Sequence, residues 1–73
     1  MYIYKLVFTE NEVVSCRPAD KDVVLDGAYY LEHSKGRLIH LLVKAESEQD
    51  AINKSNMIVS KFIKELLAND SLN

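Results

Sequence analysis

One cysteine and two histidines are the residues of this sequence best suited to nucleophilic chemistry. Cys16, His33 and His40 would act together only if a histidine lay beside the thiol and a third group oriented the imidazole. A lone cysteine at a strand end is more typical of a small buried side chain, and nothing near it in the sequence indicates an activated thiol. We therefore predict no catalytic residues and no enzymatic activity.

Metal and cofactor sites are not predicted either. His33 and His40 fall on opposite faces of the hairpin described below, and no Cys or His pair has zinc-ligand spacing. A shift of the hairpin turn by one residue would bring both to one face, which keeps a metal site as an alternative. The acidic loop 20–26 lacks the ligand pattern of a calcium loop, and Gly27 and Gly36 each lie at a turn rather than in a phosphate-binding loop.

The composition is typical of one globular domain spanning residues 1–73. The chain is 48% hydrophobic and 27% charged, and its formal net charge of −2 provides no global attraction to nucleic acid or an anionic membrane. The first residues lack the regions of a signal peptide, and the longest apolar run, Leu41 to Val43, is too short to span a membrane. Together with the single cysteine, these features predict a cytoplasmic protein that has no contact with membranes.

The clearest element is a C-terminal helix. Ser47 is expected to cap its free amides, and Asp50 completes an arrangement similar to a capping box. We expect the helix to end near Leu67 or Ala68 and residues 69–73 to form a frayed tail.

One side of this helix is an apolar stripe. The stripe consists of Ala51, Ile52, Ser55, Ile58, Val59, Phe62, Ile63 and Leu66. Because its first two turns carry the small residues Ala51 and Ser55, they can approach the packing partner more closely than the later turns can.

A period of two residues before the helix predicts antiparallel strands. The best-defined hairpin joins residues 28–33 to 37–44, and a three-residue turn closed by Gly36 would place Leu31 opposite Ile39. This register puts five apolar residues on the face beneath the helix: Tyr29, Leu31, Ile39, Leu41 and Val43.

Two further strands are predicted at residues 2–9 and 13–17, and residues 23–25 either add a short edge strand or re-enter the core. The predicted fold class is therefore α+β with two layers. An antiparallel sheet of about four strands, in the order β-β-(short β)-β-β-α, is covered on one face by a single C-terminal helix.

The other face of the hairpin carries the candidate interface residues. These are Tyr30, Leu38, His40 and Leu42. A small monomer seldom exposes so apolar a surface, so either the sheet curls over it or a second chain covers it. We expect a homodimer that forms through this face, with a different partner protein as a further option.

The same face is also a candidate for binding nucleic acid. Tyr30 and His40 could stack on bases, with Lys5, Arg37 and Lys44 around them. The acidic net charge and the enrichment of tyrosine at protein interfaces favour a protein partner instead.

Residues 43–52 place a strand end, a polar cap and a helix start in succession. This segment resembles the corresponding part of HicB-type antitoxins, although the chain has no counterpart of their central segment with its proline and Gly-Cys. The resemblance implies an antitoxin-like regulatory role as an alternative. The leading prediction is a small non-enzymatic interaction protein that self-associates.

Overall fold

A computed structural model describes the backbone of residues 1–71 and the side chains of residues 1–68, and it shows a four-stranded antiparallel sheet with one helix. The elements are β1 (Tyr2–Thr9), β2 (Glu12–Pro18), β3 (Tyr29–Ser34), β4 (Arg37–Ala45) and α1 (Glu48–Ser71). The strand order across the sheet is β2-β1-β4-β3. The predicted α+β fold is confirmed, but residues 23–25 form no additional strand.

Both hairpins close through two-residue turns. Glu10 and Asn11 connect β1 to β2, Lys35 and Gly36 connect β3 to β4, and all four have positive φ angles, between 53° and 79°. Two successive positive φ angles define the type I′ turn, whose twist matches that of the paired strands. The turn between β3 and β4 is therefore one residue shorter than the sequence predicted.

A β-bulge follows this turn and changes the face on which two residues lie. His33 pairs with Leu38 and Glu32 pairs with His40, so Ile39 has no partner on β3. Because a bulge interrupts the alternation of side chains, Leu38 lies in the core with 4% of its surface exposed, while Ile39 is 40% exposed. The predicted positions of Leu38 on the outer face and Ile39 in the core are both wrong.

The first hairpin supports this bulge. The Asn11 side-chain oxygen accepts a hydrogen bond of 2.9 Å from the backbone N–H of Leu38. Asparagine tolerates the left-handed backbone conformation of the turn, so one residue both closes the first hairpin and satisfies a donor in the second.

The main core lies between the sheet and α1. Its buried members are Leu6, Phe8, Leu38, Leu41, Val43, Ala45 and Ala51. Ala51 and Ser55 are both fully buried at the start of α1, which allows the helix backbone to lie close to the sheet. Ile63, which the helical period placed in the same stripe, is 39% exposed.

The start of α1 is capped as the sequence predicted. The Asp50 N–H donates to the Ser47 hydroxyl oxygen at 3.2 Å, and the Glu46 N–H donates to the Asp50 carboxylate at 2.9 Å. The hydrogen bond from Glu46, together with the nearby Lys54 ammonium group, lowers the pKa of Asp50. These contacts order the chain between β4 and α1.

The described part of α1 continues to Ser71, three residues beyond the predicted end at Ala68. Residues 72–73 lie outside the described residues, so a frayed tail at residues 69–73 stays a prediction. Within the described residues, no helix combines the length and the hydrophobicity that a membrane span requires.

The connection from β2 to β3 crosses the sheet because these strands occupy opposite edges. Asp20 and Val23 of this connection line a cavity together with Lys5 and Leu42, whose side chains point away from α1. Residues 19–28 therefore cross the face opposite the helix. Leu25 is buried outside the helix-side core, so the chain itself covers part of the face that the sequence left open.

Candidate interaction face

The sheet surface opposite α1, called the open face, is the candidate functional site. Directly paired residues on neighbouring antiparallel strands point to the same side, so the pairing registers define two rows across this face. One row is Arg17, Lys5, Leu42 and Tyr30, and the next is Ser15, Val7, His40 and Glu32. The basic residues Arg17 and Lys5 lie on β2 and β1, and the acidic residue Glu32 lies on β3 at the opposite edge of the sheet.

Tyr30, His40 and Glu32 form a polar aromatic cluster on the β3 side of the open face. The ring centroids of Tyr30 and His40 are 6.2 Å apart, and the rings are inclined by 50°. His40 Nδ1 lies 3.6 Å from a carboxylate oxygen of Glu32. Tyr30 is 50% exposed, so its ring offers a rigid apolar surface beside groups that can form hydrogen bonds.

The structure brings together three of the four predicted interface residues. Tyr30, His40 and Leu42 all lie on the open face, and His40 and Leu42 are half-buried there. Leu38 packs in the core on the helix side because the bulge at Ile39 reverses its direction. It is therefore not available as an interface residue.

The first residues of the β2–β3 connection and the open face border an open cavity of about 370 Å³. Its lining includes Lys5, Arg17 and His40 from the sheet and Asp20 and Val23 from the connection. Sequence reasoning missed this cavity because it depends on strand order, which local patterns do not reveal. The cavity makes the open face concave on its basic side.

Lys5 and Arg17 are an unusual pair on this face. They are direct partners in the register of β1 and β2, which places two like charges on neighbouring strands. Within residues 1–68, neither has a carboxylate oxygen within 4.0 Å. Like charges directly opposite each other destabilise a sheet, so this pair offers nothing to the stability of the isolated chain.

The structure does not assemble the residues that could have formed a nucleophilic site. Cys16 and His33 point to the helix side but lie on β2 and β3, which are three strand spacings or about 14 Å apart. His33 packs on the Phe62 ring with centroids 4.6 Å apart, and His40 lies on the other face. The described part of the chain also contains no group of three residues that could hold a metal ion.

The Cys16 thiol is expected to react slowly because its pKa is raised, first by burial and second by the Glu48 carboxylate. At pH 8, iodoacetamide is expected to label the folded chain several-fold more slowly than the chain in urea, since only the thiolate reacts. The pH at which the labelling rate reaches half of its maximum should be lower in Glu48→Gln than in the wild type. Glu65→Gln should leave this pH unchanged. Faster labelling of the folded chain than of the unfolded chain would contradict this assignment.

A second concave surface lies between α1 and the β3 edge of the sheet. Tyr29, Val43, Met57 and Ile58 line this groove of about 360 Å³ together with Met1. Met57 is 74% exposed, which agrees with its position on the outer side of the helical wheel. The groove is more apolar than the open face, and sequence reasoning did not identify it.

No protein family model matches this sequence, and comparisons with curated proteins and with solved structures found no match. The function therefore has to be argued from the residues of the chain itself. The antitoxin-like role implied by residues 43–52 stays an alternative prediction.

Proposed function

We propose that this protein is a small non-enzymatic interaction module that self-associates through the open face. The observation that carries the proposal is the half-exposed Tyr30 ring beside His40 and Leu42, a surface that α1 does not cover. Tyrosine is enriched at protein interfaces because its ring buries a large area while its hydroxyl group keeps polar partners. The unpaired Cys16 favours a reducing compartment, so we place this activity in the cytoplasm.

The distribution of charge on the open face favours a second copy as the partner. A symmetric dimer uses the same patch on both subunits, so the patch must be complementary to itself. Lys5 and Arg17 lie on one side of the open face and Glu32 lies on the other. A face that carries positive charge on one side and negative charge on the other can pair opposite charges in a two-fold interface.

The size of the face sets the expected strength of the dimer. Four strands at about 4.8 Å spacing and about 20 Å of strand length set an upper limit on the order of 800 Å² in total between two copies, because residues 19–28 already cover part of this face. Stable interfaces bury more than this, so the dimer is expected to be weak and to depend on concentration. Measurements therefore need to extend to high protein concentration.

The test is sedimentation velocity from about 10 μM to about 1 mM, a range that covers weak association. The wild-type sedimentation coefficient is expected to rise with concentration, and Leu42→Lys should remain monomeric because it places a charge at the interface centre. Tyr30→Ala is a second, more exposed variant that should also weaken the dimer. Leu67→Lys, an exposed position on α1, is the control and should behave like the wild type.

A wild-type chain that stays monomeric throughout this range would contradict self-association. Circular dichroism must first show that each variant is folded, since Leu42 is half-buried. If Leu42→Lys unfolds and Tyr30→Ala does not, the sedimentation of Tyr30→Ala decides whether the open face forms the dimer.

Nucleic-acid binding through the open face is the second candidate. It is favoured by Lys5 and Arg17, which lie on the same surface as Tyr30 and form no ion pair with residues 1–68. Fluorescence anisotropy with a labelled single-stranded oligonucleotide distinguishes it from self-association. Binding that falls steeply with salt and is lost in Tyr30→Ala would support this candidate. If the wild-type chain dimerises and the anisotropy of the oligonucleotide does not change as protein is added, nucleic-acid binding is rejected.

A further inference from the structure

We infer that the open cavity on the basic side of the open face binds a small phosphate monoester, whose phosphate group is held between Lys5 and Arg17. This inference does not rest on self-association, because a single chain supplies the whole lining of the cavity. It is carried by two basic side chains that share the cavity and that their own chain leaves without a carboxylate partner.

The backbone pairing places the two basic residues side by side. Lys5 and Arg17 are direct partners in the register of β1 and β2, and both line the cavity. Directly paired residues have Cβ atoms about 5 Å apart, so both side chains can reach one anion. A guanidinium group donates two parallel hydrogen bonds to a phosphate, and an ammonium group adds a compact charge.

The charge of this basic pair determines which anion fits best. No side-chain hydrogen bond or ion pair joins Lys5 or Arg17 to residues 1–68. Asp20 lines the same cavity but forms no ion pair with either of them. A phosphate monoester carries close to two negative charges at neutral pH, so it can neutralise both cations, whereas a carboxylate or a phosphodiester carries only one.

The rest of the cavity suits the body of a small molecule. Its volume of about 370 Å³ lies within the range of small-molecule sites. Val7, Val23 and Leu42 contribute apolar surface, and Ser15 and His40 add neutral hydrogen-bonding groups. A few polar groups among apolar side chains are typical of such sites. The expected ligand therefore has a phosphate group at one end and an apolar or aromatic body.

Titration of the ¹⁵N-labelled chain with phenyl phosphate tests the inference, because amide chemical shifts report both the affinity and the place of binding. The titration is done at pH 8, where the monoester is a dianion, and at a protein concentration at which sedimentation shows a monomer. Saturable shifts are expected in β1, in β2 and at residues 19–23, with a dissociation constant of about 1 mM or lower.

Two other ligands separate the possible sources of the anionic group. Benzenesulfonate has the same ring and a tetrahedral head group but only one negative charge, so it should bind at least about fivefold more weakly. A single-stranded oligonucleotide carries its phosphates as singly charged diesters. Compared at equal phosphate concentration, it should also bind more weakly than phenyl phosphate.

Substitutions in the cavity test the assigned residues. Arg17→Gln and Lys5→Gln should each weaken binding of phenyl phosphate at least about fivefold, because each removes one of the two positive charges. Arg37→Gln and Lys61→Gln remove exposed basic groups elsewhere and should leave the dissociation constant within about twofold. Asp20→Asn should strengthen binding, because it removes a negative charge from the lining. Circular dichroism shows whether each variant is folded.

Three results would overturn the inference. Shifts that do not saturate, or that spread over basic residues throughout the chain, would show that binding follows the total charge and not the cavity. Equal affinities for phenyl phosphate and benzenesulfonate would reject the preference for a dianion. Tighter binding of the oligonucleotide would assign Lys5 and Arg17 to nucleic acid instead. Since these measurements use the monomer, their outcome is independent of whether the chain self-associates.

Discussion

Leu38→Lys is expected to abolish cooperative folding at 25 °C, whereas Ile39→Lys at the next position is expected to fold. Leu38 is 4% exposed in the core between β4 and α1, so a lysine there would place an unpaired charge among apolar side chains. That costs several kcal/mol, comparable to the total stability of about 5–10 kcal/mol expected for a domain of this size. Ile39 is 40% exposed at the bulge, from which a lysine can extend into water. Urea denaturation followed by circular dichroism measures both variants.

This pair of variants also tests the register of the second hairpin. With a three-residue turn, Ile39 would face the core and Leu38 the solvent, so the two effects would be exchanged. Leu38→Met conserves volume and polarity and should cost less than about 1.5 kcal/mol, which controls for any change at this position. A folded Leu38→Lys chain together with an unfolded Ile39→Lys chain would show that the bulge is absent.

The periodicity of the sequence predicted the element types more reliably than their pairing. The helical stripe and the capping residues depend on local spacing, and Ser47 and Asp50 form the expected contacts. The register depends on whether Lys35 adopts a positive φ angle, which only its position in the folded hairpin determines. The backbone N–H of Leu38 at the bulge also donates a hydrogen bond to the side-chain oxygen of Asn11, 27 residues away in the sequence. No local pattern contains that information.

The sequence predicted the candidate interface correctly on the side of the bulge that is distant from the turn, but not between the bulge and the turn. Tyr30, His40 and Leu42 lie on the side of Ile39 where both registers give the same faces, because the shorter turn and the bulge each shift the pairing by one residue and together shift it by two. Leu38 lies on the other side of the bulge, where the alternation has changed. The covering of the open face by residues 19–28 follows from the positions of β2 and β3 at opposite edges, which depends on contacts distant in sequence.

The close approach of α1 to the sheet leads to the second large effect. Ser55→Leu is expected to destabilise the protein by about 1–3 kcal/mol, because position 55 is fully buried and a larger side chain would push the helix away from the sheet. Ser55→Ala is the matched control. The Ser55 hydroxyl donates to the Ile52 carbonyl oxygen of the same helix at 2.8 Å, so removing it leaves no donor or acceptor on another element without a partner.

The two Ser55 variants separate the requirement for a small side chain from the requirement for a hydroxyl group. Alanine is smaller than serine and has the higher helix propensity, so Ser55→Ala should change the free energy of unfolding by less than about 1 kcal/mol. Equal losses in both variants would assign the stability to the hydroxyl hydrogen bond instead. Because α1 packs on the side opposite the open face, a folded Ser55→Ala chain should sediment like the wild type, which keeps the stability of the core separate from self-association.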